Sequence, residues 1–172
     1  ISECYGQGGV LLKFNEDLKA SVIWKERNFG MHWMTPLVID DHIYGFAGRN
    51  KPDVQLRCVN LNDGSIVWKD DMRYQFELNG RNLTLSFFRG SLLRCNDRVF
   101  GLGEDGVFAE FNISPKGVKI LSQSQLFVAE QSWALPVVHR GLLYISQHTT
   151  GFVNDTKPRL MCFDFREKVS SE

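Results

Sequence analysis

No apolar stretch in this sequence approaches the roughly 20 residues that a bilayer-spanning helix needs, so no membrane-spanning segment is expected. Charge of one sign is also missing. The 20 basic residues are balanced by 20 acidic ones, and such a balance draws in neither nucleic acid nor an anionic membrane. Cys4, Cys58, Cys95 and Cys162 include no C-x-x-C pair, which removes the closely spaced thiolates of a zinc or dithiol redox site. Each instead lies in an apolar, strand-like run and is expected to be a small buried side chain. His32, His42, His139 and His148 have no H-x-H or H-x-x-x-H spacing for a metal. A G-x-S-x-G elbow is absent, which excludes the usual serine-hydrolase arrangement. Gly6-Gln7-Gly8-Gly9 and Gly101-Leu102-Gly103 are not followed by a helical pattern. An anion loop depends on a helix N-terminus, so both are taken as hairpin glycines. The chain opens at Ile1 without signal-like charge or an apolar run, and a processed chain or a piece of a longer one is expected.

What the sequence does contain is a repeat. Apolar residues make up 43% of it and aromatics 12%, enough for a packed core and against disorder. Thr35-Pro36-Leu37-Val38-Ile39-Asp40-Asp41-His42-Ile43-Tyr44 is echoed by Ser91-Leu92-Leu93-Arg94-Cys95-Asn96-Asp97-Arg98-Val99-Phe100, and again by Leu135-Pro136-Val137-Val138-His139-Arg140-Gly141-Leu142-Leu143-Tyr144. The aromatic anchors fall at 44, 100 and 144. Periods near this length, made of short apolar runs and tight turns, are the pattern of propeller blades.

The best-preserved copy predicts a four-stranded antiparallel blade. Leu37-Val38-Ile39, the turn Asp40-Asp41 and His42-Ile43-Tyr44-Gly45-Phe46 give the first two strands. Leu56-Arg57-Cys58-Val59-Asn60-Leu61 is the third, and Ile66-Val67-Trp68-Lys69 the fourth. Between these last two, Asp63-Gly64 supplies a hairpin signal, because glycine tolerates positive φ. Trp24 closes a matching run 44 residues before Trp68, and Trp33-Met34-Thr35-Pro36 matches Trp133-Ala134-Leu135-Pro136. The expected architecture is therefore an all-β propeller fragment in a single domain, 1–172. It divides into a partial blade at 1–28, blades at 33–74 and 88–127, and a partial blade at 133–166. Residues 75–87 form a linker or extended loop, with a turn at Asn79-Gly80.

The strand–turn–strand from Leu56 to Trp68 resembles the repeat of pyrroloquinoline quinone (PQQ)-type propellers, in which Ala-x-Asp-x-x-Thr-Gly-x-x-x-Trp recurs. Cys58 takes the alanine place, Asn60 the aspartate, Asp63-Gly64 the threonine-glycine, and Trp68 the tryptophan. Other copies are more worn. Phe14-Asn15 and Trp24 keep the two ends, whereas Glu110-Phe111-Asn112-Ile113 and Lys116-Gly117 keep the middle, with Leu121 where tryptophan would stand. Met161-Cys162-Phe163-Asp164-Phe165 keeps the start. The resemblance implies that Trp24, Trp68, Trp33 and Trp133 are blade-docking residues, each packing one blade on the next.

Members of that family are either quinone- and calcium-dependent dehydrogenases or cofactor-free proteins of the cell envelope. The resemblance is to the second group. The adjacent cysteine pair that such dehydrogenases often carry is missing, no cofactor is expected, and a role for PQQ and calcium is the rival reading. The implied function is a non-catalytic scaffold or protein-interaction module, periplasmic or secreted. Its partners would be another protein or the remaining blades of its own parent chain. A third reading is a glycan-binding propeller attached to a hydrolase. Loops on a rigid scaffold carry recognition. The candidate ligand or partner residues are accordingly Arg49, Lys51, Arg81, His148 and Arg159, in the polar stretches 48–55, 74–85 and 147–159.

Overall fold

Short apolar runs punctuated by Gly, Asn and Asp favour strands, and strands are the regular elements seen. The computed structural model describes residues 1–50 and 53–166. Among these no helix is long and apolar enough to cross a membrane. The strands form antiparallel sheets, none closed on itself. The first sheet holds β1 (Ser2–Glu3), β2 (Gly8–Phe14) and β3 (Ala20–Glu26). The second holds β4 (Leu37–Ile39), β5 (His42–Ala47), β6 (Gln55–Asn60) and β7 (Ile66–Asp70). A hairpin of β8 (Arg73–Leu78) and β9 (Arg81–Ser86) follows. The third sheet is β10 (Ser91–Cys95), β11 (Arg98–Leu102), β12 (Val107–Ser114) and β13 (Gly117–Gln125). The fourth is β14 (Val137–His139), β15 (Leu142–Gln147) and β16 (Arg159–Asp164).

Strand register makes the repeat concrete. Tyr44, Phe100 and Tyr144 pair with Leu37, Leu93 and Val137 on one side. On the other they pair with Cys58, Glu110 and Cys162. One strand further out, Leu11 faces Trp24, Cys58 faces Trp68 and Glu110 faces Ser122. A bulge follows in each of these three ladders, leaving Ile23, Val67 and Leu121 as the extra residue. All three are exposed, as expected where an unpaired residue is turned out of the ladder. The position of Trp24 and Trp68 is thus held by Ser122 in the third sheet, not by Leu121. Counting from the glycine misleads because the β12–β13 turn is tight, with Ser114 paired to Gly117. Gly64 instead lies inside the wider turn closed by Asn60 N–H and Ser65 O. In the first sheet Lys13 faces Ser21 and Phe14 faces Ala20, so Lys13, and not Asn15, stands at the place of Asn60.

The stretch expected to be a linker at 75–87 is the β8–β9 hairpin. Asn79 and Gly80, with φ of 50° and 74°, form the positive-φ pair that a tight two-residue hairpin turn requires. Tyr74, Phe76 and Leu85 then sit on one face of it, against the core. Cys4 lies in a turn rather than a strand, while Cys58, Cys95 and Cys162 are in strands, and all four thiols are free. Cys162 is exposed, contrary to the expectation for it.

Each sheet covers one face of the next. Between the second and third, Tyr44, Phe46, Leu56 and Cys58 meet Leu92, Val99, Ala109 and Phe111, with Phe87 wedged among them. Between the third and fourth, Phe100, Leu102 and Phe108 meet Leu143 and Ile145. Trp24, Phe29 and Met31 pack on Ile43 and Val59 of the second sheet. Apolar burial of this extent is the main favourable term holding the sheets together.

Candidate functional site

In an antiparallel sheet the start of one strand and the end of the next lie at the same end. The segments before β4, β10 and β14 therefore share one end with those after β1, β5, β11 and β15. Trp33, Arg89 and Trp133 stand at equivalent places, each four residues ahead of Leu37, Leu93 and Val137. All three converge. The rings of Trp33 and Trp133 lie 3.9 Å apart, centroid to centroid, at an interplanar angle of 38°. Arg89 Cζ is 5.3 Å from both ring centres, within reach of a cation–π attraction.

Beneath this triplet is Glu104, whose exposure of 1% makes a bare carboxylate prohibitive. Arg89 supplies the counter-charge, with Nε donating to Oε2 at 2.9 Å and Nη2 donating to Oε1. Trp133 Nε1 donates to the same Oε1 at 3.3 Å. The fork of Arg89 is thereby fixed, and with it the edge it presents to both indoles.

On the other side of Trp33 the cluster continues. The His32 ring stacks on Trp33 at 3.5 Å and 18°, and His32 Nε2 lies 2.8 Å from Tyr5 Oη. Arg49 Cζ lies 4.7 Å from the centre of the Tyr5 ring. Trp33 is thus contacted by the rings of both His32 and Trp133 and remains 48% exposed. Burial, and then the positive charges of Arg89 and Arg49, hold the His32 pKa below its ordinary value. His32 Nδ1 is buried without a hydrogen-bond partner.

The sequence-predicted residues separate into several groups. Trp24 and Trp68 sit between sheets. Trp24 Nε1 donates to Leu61 O at 2.8 Å, and Trp68 Nε1 to Ser114 O at 2.9 Å. Trp33 and Trp133 do not repeat that arrangement; they stack on each other and line the shared end. Arg49 belongs to the same cluster. His148 is next to it, its Nδ1 2.8 Å from Gln131 O and 3.4 Å from Trp133 N. Arg159 Nε donates to the buried Gln147 at 3.2 Å and so ties down the base of the 148–158 loop. Arg81 is at the tip of the β8–β9 hairpin, paired across to Leu78. Lys51 lies outside the described residues.

Tyr5, His32, Arg89 and Glu104 went unrecognised in the sequence. For Arg89 a signal existed, because it occupies the repeat position of Trp33 and Trp133. For Glu104 there was none, as an acid between glycines reads as turn chemistry. Among the described residues no group of three or more His, Cys, Asp or Glu is placed to hold a metal ion. Compared with known proteins, the chain matches no family model and no curated protein.

Proposed function

We propose that the chain is part of a β-propeller of PQQ-like repeats and acts as a non-catalytic scaffold and protein-interaction module of the cell envelope. Its recognition face is the end formed by Trp33, Trp133, Arg49 and Arg89. One observation carries this reading: three repeat-equivalent side chains, Trp33, Arg89 and Trp133, come from the segments leading into three successive sheets to one point. Radially arranged blades would bring equivalent positions together near a common axis in this way. The two docking indoles, Trp24 and Trp68, add to it by making the same kind of bond to the following sheet. Partly exposed indoles flanked by arginines are also the composition enriched at protein interfaces. The envelope location rests on the resemblance alone.

The residues at this end do not fit a quinone with calcium. Trp33 is already in ring contact with His32 and Trp133, and Glu104 is already engaged by Arg89 and Trp133. That favours the cofactor-free reading over the dehydrogenase one. Photo-crosslinking in the native envelope tests it, with the photoreactive residue at Arg49 or Thr149, and at Val67 as control. A discrete protein adduct from the first two positions and none from the third is expected. Equal labelling at all three, or PQQ- and calcium-dependent dye reduction by the parent protein, would count against it.

A further inference from the structure

The two other sheet junctions each contain an indole, and the third contains a cleft where one would stand. Trp24 fills the junction of the first and second sheets so closely that a Cβ on Gly64 would come within 2.6 Å of its ring. Trp68 fills the next, 6.0 Å from the Tyr44 ring. At the third junction the register puts Ser122 at that place, and a cavity of about 440 Å³ opens beside it. Its walls are Phe100, Phe108, Phe165, Glu110, Ser122 and Ser124. Phe165 corresponds to Leu61, since the N–H of each donates to the turn of the preceding hairpin, at Gly141 O and Asp41 O. Phe165 has therefore moved its ring into part of the vacated space, 6.1 Å from Phe108 and 6.5 Å from Phe100. Among the described residues the rest stays open.

We infer that this cleft is a binding site for a planar aromatic group bearing an N–H donor, of the indole class. Its occupant is argued from continuity with the two established junctions, where the same place on the same kind of sheet holds an indole. The chemistry of the walls agrees. Phe165 is half exposed and offers its ring to a flat π-system, while Phe100 and Phe108, stacked on each other at 5.5 Å and nearly buried, form the floor. Glu110, which stands at the place of the buried Cys58 of the second sheet, puts a carboxylate acceptor where that sheet has a thiol. Arg98 holds that carboxylate through Nε at 2.7 Å and Nη2 at 2.6 Å, fixing its direction. The volume falls within the roughly 300–1,000 Å³ range of small-molecule sites. This inference goes beyond the proposed scaffold role and does not depend on the Trp33–Trp133 end.

Titration with N-acetyl-L-tryptophanamide, followed by ligand-detected NMR, tests the inference, with N-acetylglycinamide as control. Saturable binding of the first and not the second is expected. Ser122→Trp should place the chain's own indole in the cleft, weakening probe binding at least tenfold and raising the unfolding midpoint. If Ser122→Trp does not fold, Ser124→Lys on the same wall is used, with the same loss of binding expected. No saturation up to the solubility limit of the probe would overturn the assignment. So would equal binding of the glycinamide, or binding that neither substitution alters.

Discussion

Trp33 and Trp133 are 100 residues apart in the chain and stack with their ring centres 3.9 Å apart. They belong to sheets that are not neighbours, the second and the fourth, and Arg89 of the intervening third sheet lies against both. One contact thus reports the relative placement of three sheets. Several consequences can be measured.

Breaking the pair under this cluster should be costly. The side chain of Glu104 is 2% exposed and that of Arg89 16%. Arg89→Ala leaves a buried carboxylate without counter-charge, a change worth about 3–5 kcal/mol. Urea denaturation of Arg89→Ala should show a loss of that order. Adding Glu104→Gln to it should recover most of the loss, because the orphan charge goes too. A double variant as unstable as the single would show that packing, not charge, is at stake.

The docking indole predicts a second loss. Trp68→Ala removes a wedge between the second and third sheets together with the bond to Ser114 O, and should cost roughly 3–5 kcal/mol. Trp68→Phe keeps most of the apolar contact and loses the hydrogen bond, so about 1 kcal/mol is expected. An unchanged denaturation midpoint for Trp68→Ala would mean the indole is not wedged there.

Two glycines with similar φ should respond differently to alanine. Gly64 has φ of 77° and Gly80 of 74°, so both substitutions carry the strain of a left-handed residue, about 1 kcal/mol. At Gly80 the new Cβ meets nothing, whereas at Gly64 it strikes the Trp24 ring. Gly64→Ala should therefore be clearly the more destabilising, and should alter Trp24 fluorescence. Equal losses would mean that Trp24 is not fixed over that turn.

Protonation of His32 should weaken the fold. Its pKa in the folded chain is held below the ordinary value of 6.5, first by burial and then by Arg89 and Arg49. Between the lowered value and 6.5 the unfolded chain binds a proton that the folded chain does not. Stability therefore rises with pH across that window. It is complete above about 6.5 and declines as pH falls toward the folded value. Denaturation series across this range should show the slope in the native chain and a reduced slope in His32→Gln. Identical slopes would remove His32 as the source.

Much of the strand pattern was legible because it is local. The Asp40-Asp41 and Arg140-Gly141 turns, and the alternation in His42-Ile43-Tyr44-Gly45-Phe46, depend on backbone preferences within a few residues. The β8–β9 hairpin was missed although it is equally local. Tyr74-Gln75-Phe76-Glu77-Leu78 alternates, and Asn79-Gly80 is a hairpin turn, but the segment has no counterpart in the repeat, so the repeat pattern alone marks it as a linker. Ser122 could not be placed by spacing, because a two-residue turn and a bulge shift the count in ways only pairing reveals. Glu104 and Arg89 were invisible as a pair because nothing in either residue's neighbourhood states which distant charge it will meet.

The sequence by itself determined that the chain would form short antiparallel strands in recurring sets, since apolar alternation and turn residues act over a few positions. It also determined which aromatics recur, as at Tyr44, Phe100 and Tyr144. Only the tertiary structure decided which of the four tryptophans lie between sheets and which face one another. That choice turns on strand ends and sheet order, and both are set by contacts between residues tens of positions apart. Tertiary structure likewise decided that Arg89 would neutralise Glu104, and that the junction lacking a tryptophan would keep an open cleft. A charge or a cavity takes its energy from everything packed around it, and that surrounding is not written in any local stretch of the chain.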